Sequence, residues 1–233
     1  MILVIFDVDG TLVQSDKMDS KCFARTYEGE YGRTFPTIDW SQYPHVSDTT
    51  IFKTVIQNHF NRSVHEGEEE SFRKKFVANI IQNRQTMPEA FSEVPFAKQT
   101  IDLLLSDQRY VVGVATGGWR DPAIVKLNFV GIPAERLLVS GADGKETREA
   151  IIQHTIEKAR KQYRGINRIV YVGDAIWDVT TTRNMNLPFV GIRRRGDLDF
   201  FYERGVNIVL KNYEKYDLFL DGVSRAGVPL KIS

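Results

Sequence analysis

The feature that most constrains this chain is an unbroken apolar run, Ile2-Leu3-Val4-Ile5-Phe6, that stops at an acid, Asp7. Five residues is a strand's length and too short for a helix. A strand with one wet face alternates apolar and polar residues. A run without alternation has both faces covered, as in a parallel sheet. Comparable runs recur at 110–115, 136–139, 168–172 and 188–192. Between them, residues 96–105, 122–130 and 147–161 carry apolar residues at helical spacing. Strand–helix–strand alternation predicts an α/β fold with a doubly wound parallel sheet.

One segment breaks the rhythm. Residues 13–94 hold no buried-strand run but three helical stretches, 20–31, 48–59 and 68–84. Glu70 and Lys74 sit there at the favourable four-residue spacing. The expected organisation is a core of residues 1–13 and 95–233, with a helical domain at 14–94 inserted after the first strand.

Charge and cysteine content narrow the function classes. Lys plus Arg is 31 against 30 for Asp plus Glu, so a chain-wide nucleic-acid or membrane binder is not expected. The basic run Arg193-Arg194-Arg195 reads as a solvated loop or strand end. Cys22 is the one cysteine, and the four histidines are scattered, so neither a disulfide nor a zinc cluster is expected. No stretch approaches about 20 apolar residues, the length a membrane span needs. A cytoplasmic monomer or weak dimer is expected.

The first strand runs into Asp7-Val8-Asp9-Gly10-Thr11. Side chains two residues apart in an extended chain project the same way, and open α/β sheets bind ligands at the carboxyl ends of their strands. Asp7 and Asp9 are therefore placed for chemistry, and Gly10 lets the backbone turn out of the strand. An EF-hand is excluded because the glycine follows the second Asp at once. The second strand ends in Thr116-Gly117-Gly118. The fourth ends in Gly173-Asp174-Ala175-Ile176-Trp177-Asp178.

This ordered set resembles the motifs of the haloacid dehalogenase-like (HAD) hydrolase superfamily, in its phosphoglycolate phosphatase-like branch. The resemblance implies a Rossmann-like core with a helical cap. It implies that Asp7 is a nucleophile forming an aspartyl-phosphate, and that Asp9 protonates the leaving group and then activates water. It gives phosphate oxygens to the Thr116 hydroxyl and to backbone N–H groups around Gly117. It implies Mg²⁺ held by Asp7, Asp174 and the Asp9 carbonyl, with Asp178 binding through water or orienting the ligands. Two residues fit the basic third motif: Lys145, which follows Gly144, and Arg148, which heads a helical pattern at Ile151 and Ile152.

The stretch from His45 to Ile51 resembles the cap segment that faces such a site. Ser47 or Asp48 would read substrate hydroxyls, although Ser47 fits equally as the cap of a helix beginning at Asp48. Trp119 and Arg120 would line the entrance. Members that displace halide need no leaving-group acid, so Asp9 favours phosphoryl chemistry. Phosphonate hydrolysis would need an imine-forming lysine in the insert. Lys17, Lys21 and Lys53 lie there, and nothing marks one as desolvated. The implied activity is a Mg²⁺-dependent phosphatase of a small phosphorylated metabolite. The alternatives are a sugar phosphomutase of the same superfamily and a non-catalytic phosphoacceptor or phosphate-binding protein.

Overall fold

The computed structural model describes residues 1–194, 196 and 198–231, so Arg195 of the basic run lies outside the described residues. The opening apolar run is strand β1 (Ile2–Phe6). Leu3 and Ile5 face one hydrophobic cluster, Val4 and Phe6 the other, and all four are fully buried. Cover on both faces explains the missing alternation.

After β1 the chain forms a short strand β2 (Val13–Gln14) and helices α1 (Asp16–Tyr31), α2 (Asp48–Phe60) and α3 (Glu68–Thr86). Strand β3 (Ser92–Glu93) then pairs antiparallel with β2. The helical insert is thus bracketed by a two-stranded ribbon that the apolar pattern was too short to reveal. The charged start of α3 is as expected, with Lys74 and Glu70 at 2.6 Å on its exposed face.

The rest alternates: α4 (Ala97–Ser106), β4 (Tyr110–Ala115), α5 (Arg120–Phe129), β5 (Leu138–Ser140), α6 (Arg148–Gln162), β6 (Arg168–Gly173), α7 (Ile176–Asn184), β7 (Phe189–Ile192), α8 (Asp199–Tyr202), β8 (Val209–Leu210) and α9 (Tyr216–Arg225). The sheet order is β5-β4-β1-β6-β7-β8, and every pairing is parallel. The sheet grows from β1 through β4 to β5, then reverses to β6 on the other side. That reversal is the topological switch point at which doubly wound sheets open a crevice. Among the described residues no helix is long and apolar enough to cross a membrane.

Insert and core meet at Trp119. The sequence placed it at the entrance, but the structure buries it completely. Phe23 of α1 stacks on its ring at 5.7 Å, and Phe52 and Phe72 meet it edge-on. Its indole N–H donates to Thr49 Oγ1 at 2.9 Å and Glu69 Oε1 at 3.1 Å. Both acceptors belong to the insert, so Trp119 is a core residue whose partners are mostly insert residues. Arg120 is exposed, and its backbone N–H donates to Asp143 at 2.7 Å.

Candidate active site

The strand ends surround a cavity of about 510 Å³. That size suits a small molecule. Asp7, Asp9, Thr116, Gly117, Arg148 and Asp174 line it from the core, and Ser47 and Asp48 from the insert. Eight of the catalytic, substrate and metal candidates read from the sequence thus line one cavity. Asp178 lies just behind, fully buried.

Asp7 continues β1 and donates its backbone N–H to the Val172 carbonyl at 2.9 Å. Its Oδ2 accepts from Arg148 Nη2 at 3.2 Å. Its Oδ1 is buried and has no hydrogen-bond partner among the described residues. A buried carboxylate oxygen left bare is unfavourable unless something else engages it. Burial pushes the Asp7 carboxyl up to about 7; Arg148 opposes this, while Asp178 and Asp9 add to it.

Arg148 opens α6, capped by Thr147, whose hydroxyl accepts from the Ala150 N–H at 3.1 Å. Its guanidinium also reaches Asp178 Oδ1 at 2.6 Å and the Tyr171 hydroxyl at 3.2 Å. Burial disfavours its charge, but Asp178 and Asp7 outweigh that and hold it well above the ordinary arginine value. Lys145 lies in the loop before the cap and does not reach the carboxylates. Its Nζ donates to the Asp143 carbonyl at 2.9 Å.

Asp178 is committed on both oxygens: Oδ1 to Arg148, and Oδ2 to the N–H groups of Asp174 and Ala175 at 3.1 and 3.0 Å. It therefore shapes the turn that presents Asp174. Carboxylate oxygens of Asp7, Asp174 and Asp178 lie within 4.8 Å of one another. An all-oxygen set of three clustered carboxylates fits a hard divalent cation such as Mg²⁺. Two glycines make room for these acids. A Cβ at Gly10 would fall 2.0 Å from Asp174 Oδ2, and one at Gly173 2.4 Å from Asp178 Oδ2.

Thr116 Oγ1 accepts from the Gly118 N–H at 3.2 Å and keeps its own O–H to donate. Ser47 is the N-cap of α2, and its hydroxyl donates to the Glu146 carbonyl at 2.6 Å. Asp48 accepts from the Trp119 N–H at 2.9 Å, while its own N–H donates to the Gly117 carbonyl at 2.8 Å. Desolvation at the cavity wall, with Asp19 nearby, holds the Asp48 carboxyl well above its usual range. Lys17 and Lys21 line the cavity, whereas Lys53 pairs with Glu146 at 2.8 Å outside it.

Three contributors escaped the sequence reading. Tyr171, in β6, donates to the Ala115 carbonyl at 2.9 Å and supports Arg148 from below. Lys126, in α5, is 1% exposed and bonds Asp9 and Asp19. A signal existed: Lys126 shares the buried stripe of Ala123 and Leu127. Arg194, from the basic run, donates to the Gly10 carbonyl at 2.9 Å and so steadies the acidic loop.

The match to the haloacid dehalogenase-like hydrolase model spans residues 4–192, and the chain belongs to that family. Solved structures agree in fold. A hydrolase from Pseudomonas syringae superimposes with a TM-score of 0.68 at 17% identity, over 95% of this chain and 98% of the other. CbbY from Rhodobacter sphaeroides, in complex with phosphate, gives 0.67 at 14% identity over 95% and 98%. A predicted phosphoglycolate phosphatase from Haemophilus somnus gives 0.59 at 16% identity over 94% and 97%. No curated protein matches the sequence.

Proposed function

We propose that this chain is a Mg²⁺-dependent phosphatase that hydrolyses a small phosphorylated metabolite through an aspartyl-phosphate on Asp7. The observation that carries the reading is the bare, buried Oδ1 of Asp7 at the cavity wall, beside an oxygen held by Arg148. An oxygen with no competing donor is free to attack phosphorus. Residues 14–94 would act as a cap over the reaction, since α2 already docks on the loops that carry Thr116 and Glu146.

In the first step Asp7 Oδ1 bonds to phosphorus and the ester oxygen leaves with a proton from Asp9. In the second, water attacks the aspartyl-phosphate, Asp9 takes a proton from it, and Asp7 departs as carboxylate. Arg148 balances the charge of Asp7. The Thr116 hydroxyl and the Gly117 N–H hold phosphate oxygens. Asp7 and Asp174, with Asp178 orienting them, would hold Mg²⁺, which supplies charge neutralisation for the phosphoryl group.

The test is phosphate release from a panel of small phosphorylated metabolites and 4-nitrophenyl phosphate, with Mg²⁺ and with chelator, by wild type and Asp7→Asn. Mg²⁺-dependent release that Asp7→Asn abolishes is expected. Equal rates for the two proteins would overturn the role of Asp7. Isomerised sugar phosphate without free phosphate would make the protein a mutase. Phosphate binding with no turnover would make it a binding protein.

A further inference from the structure

Lys126 is a fully buried ammonium in a position where an apolar side chain would pack with Ala123 and Leu127. Burying a lysine charge costs several kcal/mol unless partners compensate for it. Here the compensation is complete. The ammonium has three N–H donors, and they meet three carboxylate oxygens: Asp9 Oδ1 at 2.7 Å, Asp9 Oδ2 at 2.6 Å and Asp19 Oδ1 at 2.7 Å. Asp9 comes from the loop after β1, Asp19 from α1 of the insert, and Lys126 from α5 of the core. Both aspartates line the cavity, and the ammonium grips them from behind. Asp19 and Asp9 outweigh the effect of burial and hold the Lys126 ammonium above its ordinary pKa. A permanently charged amine cannot form an imine, so this desolvated lysine does not revive the phosphonate reading.

We propose that Lys126 is the positioning residue for Asp9: by holding both carboxylate oxygens it fixes the plane in which Asp9 meets the leaving group, with Asp19 as its second anchor. The Ser15 hydroxyl, which also donates to Asp9 Oδ1, helps to fix the same oxygen. A carboxylate gripped on both oxygens cannot rotate about its terminal bond, yet Oδ2, which takes a hydrogen bond from Lys126 while Oδ1 takes two, keeps a lone pair for the cavity. A misplacement of about 1 Å at such a group costs roughly 100-fold in rate. The proposal rests on the phosphatase reading.

The chemistry separates positioning from a merely structural role. A 4-nitrophenolate leaves without needing a proton, whereas an alkoxide needs one from Asp9. The experiment is rapid-quench measurement of first-turnover leaving-group release from 4-nitrophenyl phosphate and from benzyl phosphate, in Mg²⁺, by wild type and Lys126→Met. The expected result is a fall of about 100-fold on benzyl phosphate and less than about threefold on 4-nitrophenyl phosphate. An equal fall on both would overturn the proposal, because a general loss of structure does not discriminate between leaving groups. If Lys126→Met does not fold, Asp19→Asn keeps the lysine and frees its second anchor. It is expected to show the same selective loss at about tenfold, and an equal loss on both esters overturns the proposal there too. Release of neither leaving group by wild type would overturn the phosphatase reading instead.

Discussion

At the scale of single residues, the site is defined by how each buried charge is answered. Arg148 answers Asp7 and Asp178 at once, so removing it leaves Asp178 fully buried without its main counter-charge. Arg148→Met is expected to destabilise the protein by about 3–5 kcal/mol and to abolish turnover. Lys145→Ala, which removes a side chain that donates to the Asp143 carbonyl, should leave stability within about 0.5 kcal/mol and turnover near wild type. Denaturant unfolding and phosphate release on both variants check the pair. If Lys145→Ala were the inactive one, the assignment of the basic role to Arg148 would fall.

Asp7 carries a second prediction at this scale. Its carboxyl is raised from 3.8 to about 7 by folding without a cation. Between those values the folded chain binds a proton that the unfolded chain has released. Stability from this group is therefore complete below about pH 4 and lost as pH rises to about 7. In chelator, the melting temperature of wild type should fall relative to that of Asp7→Asn as pH goes from 5 to 8. Mg²⁺ held as proposed would bind the ionised carboxylate, so it should raise the wild-type melting temperature more at pH 8 than at pH 5. A pH-independent difference in chelator would refute the sign.

At the scale of elements, the strand ends and the helix starts that follow them act as single units. Gly173 ends β6 against the Asp178 carboxylate of α7, and a Cβ there would meet Asp178 Cβ at 2.9 Å as well as Oδ2. Gly173→Ala must push the first turn of α7 away from the sheet. It should weaken Mg²⁺ binding at least about tenfold, a loss of about 1.4 kcal/mol, while the far-ultraviolet circular dichroism stays unchanged. Calorimetric titration with Mg²⁺ measures this, and unchanged affinity would show that α7 need not sit where it does.

How legible an element was depended on how much of its signal is local. β1, β4 and β6 announced themselves because both their faces are covered. The register of β1 against β4 and β6 then brings Asp7, Thr116 and Asp174 together without further information. Arg148 and Lys145 stayed tied in the sequence because the choice depends on where the helix cap falls. With Thr147 as cap, Arg148 joins the inward face of Ile151, Ile152 and Thr155, and Lys145 is left in the loop. β8, two residues long, was too short for any pattern. Trp119 looked like an entrance residue after two glycines, because its partners Phe23, Thr49 and Phe72 are 47 to 96 positions away in the chain. Lys126 and Tyr171 were hidden for the same reason: their role lies in what folding brings to them.

At the scale of the whole molecule, the insert and the core are joined through Trp119, the α2 N-terminus and the Lys126 bridge to Asp19. Trp119→Ala would leave a hole shared by both parts and strand the Thr49 and Glu69 acceptors. A loss of about 3–5 kcal/mol is expected. Amide exchange should rise first in α1, α2 and α3, and only later in β1, β4 and β6. Simultaneous loss of protection everywhere would mean that core and insert unfold as one unit.

The placement of β1 at the centre of the sheet has a consequence for synthesis. Both of its neighbours, β4 and β6, follow it by more than about a hundred residues, and a ribosome adds roughly 5–20 residues per second. For roughly 5–20 seconds or longer the nascent chain therefore carries its most apolar strand, with Asp7 at its tip, and nothing to pair it with. The insert helices, whose contacts are close in sequence, can collapse during that interval. The growing chain is most exposed to self-association, and most in need of a chaperone, in the window that closes when β4 emerges.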